Sequence, residues 1–290
     1  MTALNMRIDF RLRPLGEITP WRDADGSNPY LGWFGLTDGW YWIAVGNVEL
    51  FRYSRAILAH WVREAGGEPW IARMGGLPYV DYQVAQLWSD LLWFLPDVLA
   101  PVPPQLAVAL ASGAWTQWEQ EAEVAVMEAL PKHEAINLLY GATRWLGKRE
   151  LDSAYLVSGP LTRCWSDGSQ VHLKWDNQER MLYGMPAWEA SVGHHVISPA
   201  AFHDAIGDFN ERFLRRMADR VAIAQGEWER PEVTLDPHLA ESQRANTQWG
   251  QGRLTTGAQQ EPDDWDTVLA SIARIEALPR FVSGKARRLS

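Results

Sequence analysis

Hydrophobic and polar positions alternate near the start of the chain. Ile8, Phe10 and Leu12 fall on one side and Arg7, Asp9, Arg11 and Arg13 on the other, so Arg7–Leu15 is expected to be a half-buried strand. After a Pro/Gly/Asp-rich loop, the runs Leu31–Thr37, Trp40–Val45 and Val48–Tyr53 are separated by Asp38-Gly39 and Gly46-Asn47. Such dipeptides tolerate the positive φ of tight hairpin turns, which predicts a three-stranded meander. Two-residue turns would put Phe34, Leu36, Tyr41, Ile43, Val45, Val48 and Leu50 on one face. Trp33, Trp40, Trp42, Phe51 and Tyr53, with Glu49 among them, would form the other.

The middle of the chain has helical spacing. Val84, Leu87, Leu91 and Leu95 mark a helix over Tyr82–Leu95 that Pro96 is expected to stop. Helices are also expected over Gln105–Ala111, over Trp115–Leu130 on Trp118, Ala122, Ala125 and Ala129, and over His133–Leu146 on Ile136, Leu139, Tyr140 and Trp145. Strands return at Tyr155–Val157, Thr162–Trp165, Val171–Asp176, Met181–Tyr183 and Trp188–Val192, a second meander. Ser198-Pro199 then opens the strongest helix, with Phe202, Ile206, Phe209, Phe213, Met217 and Val221 on one face and an end near Ala224. A short helix from Asp236-Pro237, a polar loop over 245–262 and an amphipathic helix over Asp263–Leu278 complete the pattern. The expected fold is α+β: antiparallel meanders packed with helices. One domain is expected over residues 1–245, a polar linker over 246–262, and a C-terminal helix with a basic tail of Lys285, Arg287 and Arg288 over 263–290.

Composition narrows the function classes. With 27 basic against 36 acidic residues the net charge is −9, a poor start for a nucleic-acid surface. The longest apolar runs are six residues, Trp40–Val45 and Leu106–Ala111, so neither a membrane span nor a secretory signal is expected. The single cysteine, Cys164, fits a reducing cytoplasm. Seventeen tryptophans in 290 residues are the outlier, and indoles serve either cores or binding grooves.

Candidate chemistry is sparse. Of the histidines only His194, His195 and His203 cluster, without metal-ligand spacing, so neither a metal nor another cofactor is expected. Cys164 and His172 form the one conceivable thiol–imidazole pair. A two-residue Asp167-Gly168 turn would set them on opposite faces, whereas a three-residue Ser166–Gly168 turn would set them on the same one. Asp81, Asp90, Glu119 and Glu121 lie on helical segments near Trp88 and Trp118 and read as solvated faces.

Several blocks carry a resemblance. The run Trp33-Phe-Gly-Leu-Thr-Asp-Gly-Trp-Tyr-Trp-Ile with Glu49-Leu-Phe-Arg-Tyr-Ser54, then Asp81-Tyr-Gln-Val-Ala, Leu151-Asp-Ser-Ala-Tyr-Leu156, Cys164-Trp-Ser-Asp-Gly and Val171-His-Leu-Lys-Trp-Asp-Asn177 resemble bacterial domain-of-unknown-function family 5984 over about residues 7–245. The resemblance implies a bacterial source and one domain joining both strand blocks, and carries no catalytic residue. The expected function is a non-catalytic intracellular binding protein of the immunity or accessory kind, meeting an unknown protein or small molecule on a Trp-rich surface. Its candidate residues are Trp33, Trp40, Trp42, Phe51, Tyr53, Trp165, Asp167, His172 and Trp175. The alternative is an enzyme with a small or sugar-like substrate in a Trp-lined pocket and Asp/Glu acid–base residues.

Overall fold

The computed structural model describes residues 6–64, 76–256, 263–283 and 288–289. Strand β1 (Met6–Leu12) pairs antiparallel with β3 (Asp38–Val45), which also holds β4 (Val48–Leu50) and β5 (Val80–Gln83); β2 (Tyr30–Leu31) lies outside this sheet. Helix α1 (Arg55–Glu64) precedes β5. Helices α2 (Val84–Leu99), α3 (Pro104–Ser112), α4 (Ala114–Ala129) and α5 (Lys132–Gly147) follow. A second antiparallel sheet, in the order β10-β7-β6, joins β6 (Thr162–Ser166), β7 (Val171–Asp176) and β10 (Val192–Ile197). Between β7 and β10 lies the small pair β8 (Met181–Leu182) and β9 (Met185–Pro186). Helix α6 (Pro199–Gly226), β11 (Thr234–Leu235), α7 (Leu239–Thr256), α8 (Trp265–Glu276) and α9 (Pro279–Val282) end the chain, with β11 parallel to β2. The fold is α+β. Among the described residues no helix is long and apolar enough to cross a membrane.

The described residues form two hydrophobic cores. The first lies between the two sheets, α2 and α6. The second lies among α3, α4, α5, α8 and α9. The second sheet is their common wall. On β6 and β7, Cys164, Val171, Leu173 and Trp175 enter the first core, while Trp165 faces the other way into the second. Helix α6 follows the expected stripe: Phe202, Ile206, Phe209, Phe213, Met217 and Val221 are buried, and Ser198 Oγ accepts from the Ala201 N–H at its start.

Several expected elements come out differently. Leu31–Thr37 is not a strand, because only Tyr30–Leu31 is extended before a 3-10 turn at Gly35–Thr37. Asp38-Gly39 is not a turn but the start of β3. A Cβ on Gly39 would sit 2.9 Å from Leu12 Cα, so this glycine lets β1 approach. Trp33 therefore does not share a face with Trp40 and Trp42. The Gly46-Asn47 hairpin is as expected, with Val45 opposite Val48, but Phe51 leaves the alternation. Its φ of 65° turns the ring back into the core against Tyr41 and Trp188.

Pro96 does not end α2. The carbonyl its missing N–H would have served, Leu92 O, accepts instead from Arg253 Nε at 3.2 Å and Nη2 at 3.1 Å, and the helix runs another turn. Helix α5 buries Ala135, Leu138 and Ala142 and leaves Ile136 and Tyr140 exposed; small residues let it lie close to α8. Ala129, at the end of α4, is also exposed.

Tyr155–Val157 is irregular, and Ser158 is left-handed at φ 55°. The last strand of the second sheet is Val192–Ile197, not Trp188–Val192; the Trp175 ring lies against Gly193, where any side chain would clash. Residues 246–256 are helical, as the second half of α7. Of the expected linker, 257–262 lie outside the described residues, as do Lys285 and Arg287 of the basic tail.

Candidate functional site

Strand β1 is an edge: its one strand partner among the described residues is β3. Arg13 N–H donates to Asp38 O, so by antiparallel alternation the backbone groups of Ile8, Phe10 and Leu12 point away from β3. Helix α6 supplies the opposite wall. Its Phe209 and Phe213 meet Phe10 edge-on at 5.6 and 5.8 Å, and its polar side turns a row of arginines along the free edge. Arg212 donates to Ile8 O at 2.6 Å and Arg220 to Arg13 O.

The result is an open groove of about 920 Å³ floored by Phe10, Leu12, Leu15 and Ile223 and lined by six arginines, Arg7, Arg11, Arg212, Arg215, Arg216 and Arg220, against two carboxylates, Asp9 and Asp219. Arg7 pairs with Asp9, Arg212 with Asp208 and Arg215 with Glu211. Arg11 and Arg216 are exposed and form no ion pair among the described residues. Burial pushes Arg220 down to about 10. Guanidinium groups over an apolar floor suit carboxylates or phosphates on a chain with some apolar contact surface.

The residues singled out from sequence separate into three places. Trp33 is core: its Nε1 donates to Gln243 at 2.7 Å and its ring packs on Trp88. Phe51, Tyr53 and Trp175 are also packed inside, Tyr53 between Trp61 and Trp188. Trp40 and Trp42 do share the outer face of β3, but Trp40 is sealed at 1% exposure. The Arg13 guanidinium lies 4.4 Å over its ring, held by Asp38 at 2.9 Å and Asp81 at 2.5 Å. Trp42 stacks on Tyr79 at 4.1 Å, and the Tyr79 hydroxyl donates to Glu49.

Trp165, Asp167 and His172 form the third group, joined by His194. The rings of Trp165, His172 and His194 stack nearly parallel. His172 Nε2 lies 3.0 Å from Asp167 Oδ2, and His172 Nδ1 lies 3.0 Å from His194 Nε2. His172 and the N–H groups of Gln170 and Ser169 hold the Asp167 carboxyl well below the usual range. An ionised Asp167 only accepts, so with both imidazoles neutral His172 donates to it and His194 donates to His172. Among the described residues His194 Nδ1 has no hydrogen-bond partner, and His194 is exposed.

Cys164 is not part of this array. A four-residue loop puts Cys164 opposite Leu173 and Trp165 opposite His172, so thiol and imidazole lie on opposite faces. The thiol is buried and its pKa is pushed up by burial. Among the described residues no group of three His, Cys, Asp or Glu is placed to hold a metal ion.

Sequence reasoning missed two features. The arginines come from segments two hundred residues apart and each alone reads as a solvated face. Asp90, taken for such a face, is half-buried, accepts from Gln86 Nε2 at 2.9 Å and lies within electrostatic reach of Tyr41 and Tyr155; burial pushes its carboxyl up to about 7.

No curated protein and no solved structure matches the chain. A family model does, from residue 7 to residue 271, so the likeness runs past residue 245 through α7 into α8, and the chain belongs to the family of unknown function DUF5984.

Proposed function

We propose that this protein is a non-catalytic binding protein that holds an acidic segment of a partner protein in the groove between β1 and α6. The observation that carries this reading is the concentration of six arginines around one cavity in a chain of net charge −9. Elsewhere acidic charge prevails, so the groove is where an acidic partner is steered. The binding reading made from the tryptophans is kept, but its surface moves, since most of those indoles are inside. A bacterial cytoplasm is the proposed setting, in keeping with the single cysteine held as a buried thiol.

The test is fluorescence anisotropy of a labelled octaglutamate peptide on the full chain, with octalysine and an eight-nucleotide RNA as comparisons. The peptide should bind, weaken with salt, and lose at least about tenfold in affinity when Arg11→Glu and Arg216→Glu are combined. Unchanged binding by the double variant, or tighter binding of the RNA, overturns the proposal.

A second reading is favoured by one observation. Asp90, half-buried, hydrogen-bonded by the Gln86 amide and raised by burial to about 7, is the kind of carboxyl an acid–base enzyme uses. Under that reading, any turnover found by substrate screening is abolished by Asp90→Asn and left intact by the groove variants.

A further inference from the structure

The loop from Trp21 to Tyr30 carries a second cavity of another chemical character. Trp21 and Tyr30 exchange both backbone hydrogen bonds, at 3.0 and 2.8 Å, in an antiparallel bridge. Directly opposed residues in such a bridge send their side chains off on the same side; the Trp21 ring lies against Phe34 at 6.0 Å, the Tyr30 ring lies over Gly32, and both border one cavity. Both are open to solvent, Trp21 at 46% and Tyr30 at 36%. The more exposed indole of Trp93, at 51%, has the Arg253 guanidinium 4.2 Å above it. Beside the two rings is a cavity of about 430 Å³, lined also by Arg22, Asp23, Asn28 and Thr234. That volume is within the roughly 300–1,000 Å³ of small-molecule sites.

The polar groups are fixed in advance. Asn28 Nδ2 donates to Asp23 Oδ2 at 2.7 Å, Arg22 Nη1 donates to Gly26 O at 2.9 Å, and the Gly26 N–H donates to Asp23 O at 2.8 Å. The Asn28 amide is thereby oriented, and a ligand need not order the loop. The charges of Arg22 and Asp23 cancel, so the lining selects no net charge, and a phosphate group would meet the Asp23 carboxylate. Flat aromatic faces take the C–H face of a pyranose ring. A carboxylate, an amide and a threonine hydroxyl at the rim take its vicinal hydroxyls. We propose that this cavity is a binding site for a neutral pyranose sugar, independent of the arginine groove.

Saturation-transfer NMR on the full chain tests it, with methyl β-D-glucopyranoside, methyl β-D-galactopyranoside and methyl α-D-mannopyranoside as probes and adenosine monophosphate as the charged aromatic comparison. At least one glycoside should receive saturation at its ring C–H protons. Trp21→Ala should abolish the transfer, Trp93→Ala should leave it, and Asp23→Asn, which keeps both rings, should weaken the affinity at least about fivefold. Absence of transfer to all three glycosides overturns the proposal, as does transfer that survives both Trp21→Ala and Asp23→Asn, or transfer to the nucleotide alone.

Discussion

Arg253 allows α2 to continue through a proline, and the cost of removing it can be worked out. Its guanidinium is buried, gives two hydrogen bonds to Leu92 O and one of 3.1 Å to Trp93 O, and covers the Trp93 ring. Arg253→Met keeps most of the stem and removes the donors. Leaving the buried Leu92 carbonyl unserved costs about 1–3 kcal/mol. The part-exposed Trp93 carbonyl adds less, and the lost cation–ring contact about 0.5–1 kcal/mol. A total of about 2–4 kcal/mol is expected, read as a lower guanidinium midpoint at constant m-value.

The cause is isolated by a second change. Pro96→Ala supplies the N–H that Leu92 O lacks, so in that background Arg253→Met should cost about 1–2 kcal/mol less, a coupling well above the roughly 0.5 kcal/mol scatter of independent sites. Additive effects in the four-way cycle, or a single-variant cost below about 0.5 kcal/mol, would refute the account of how the helix passes Pro96.

Phe209→Ala should destabilise by about 3–5 kcal/mol through lost burial and a cavity, whereas Arg215→Ala, on the exposed side of the same helix, should change stability by less than about 0.5 kcal/mol; equal thermal midpoints would contradict the helix orientation. Cys164 should react with a thiol reagent only as fast as the protein unfolds, and rapid labelling under native conditions would show the thiol to be reachable. Asp90 has a raised carboxyl pKa, so the folded state binds more protons than the unfolded one between about pH 4 and 7, and stability falls as pH rises through that window. Asp90→Asn removes this dependence: relative to the native chain it should gain stability at pH 8 over pH 4, and parallel pH–stability curves for the two would show that the carboxyl is not desolvated.

Where burial follows a simple apolar period, the elements were legible. The stripe from Phe202 to Val221 defines α6, and the alternation of Ile8, Phe10 and Leu12 defines β1. The family resemblance was legible too, in separate blocks that keep their order. Helix α7 was legible only at its start: beyond Leu239 its buried side carries Gln243, which serves the Trp33 indole, and Arg253, which serves Leu92, contacts that no hydrophobic period encodes. Gly39 reads as a turn in sequence because its reason lies in another strand, the close passage of Leu12. The candidate site was illegible for the same physical cause. A guanidinium on β1 and one on α6 are each ordinary surface charges until the edge of one element is laid along the other.

The strand shared by the two cores constrains assembly. Neighbouring residues of β6 are committed to opposite cores, Cys164 to one and Trp165 to the other. Sliding this strand by one position against β7 would drive an indole into the space of a thiol and leave an indole-sized void across the wall. Both cores would fail at once, so β6 acts as a key cut on two sides, and misregistered chains are rejected by two independent volume checks in a single step.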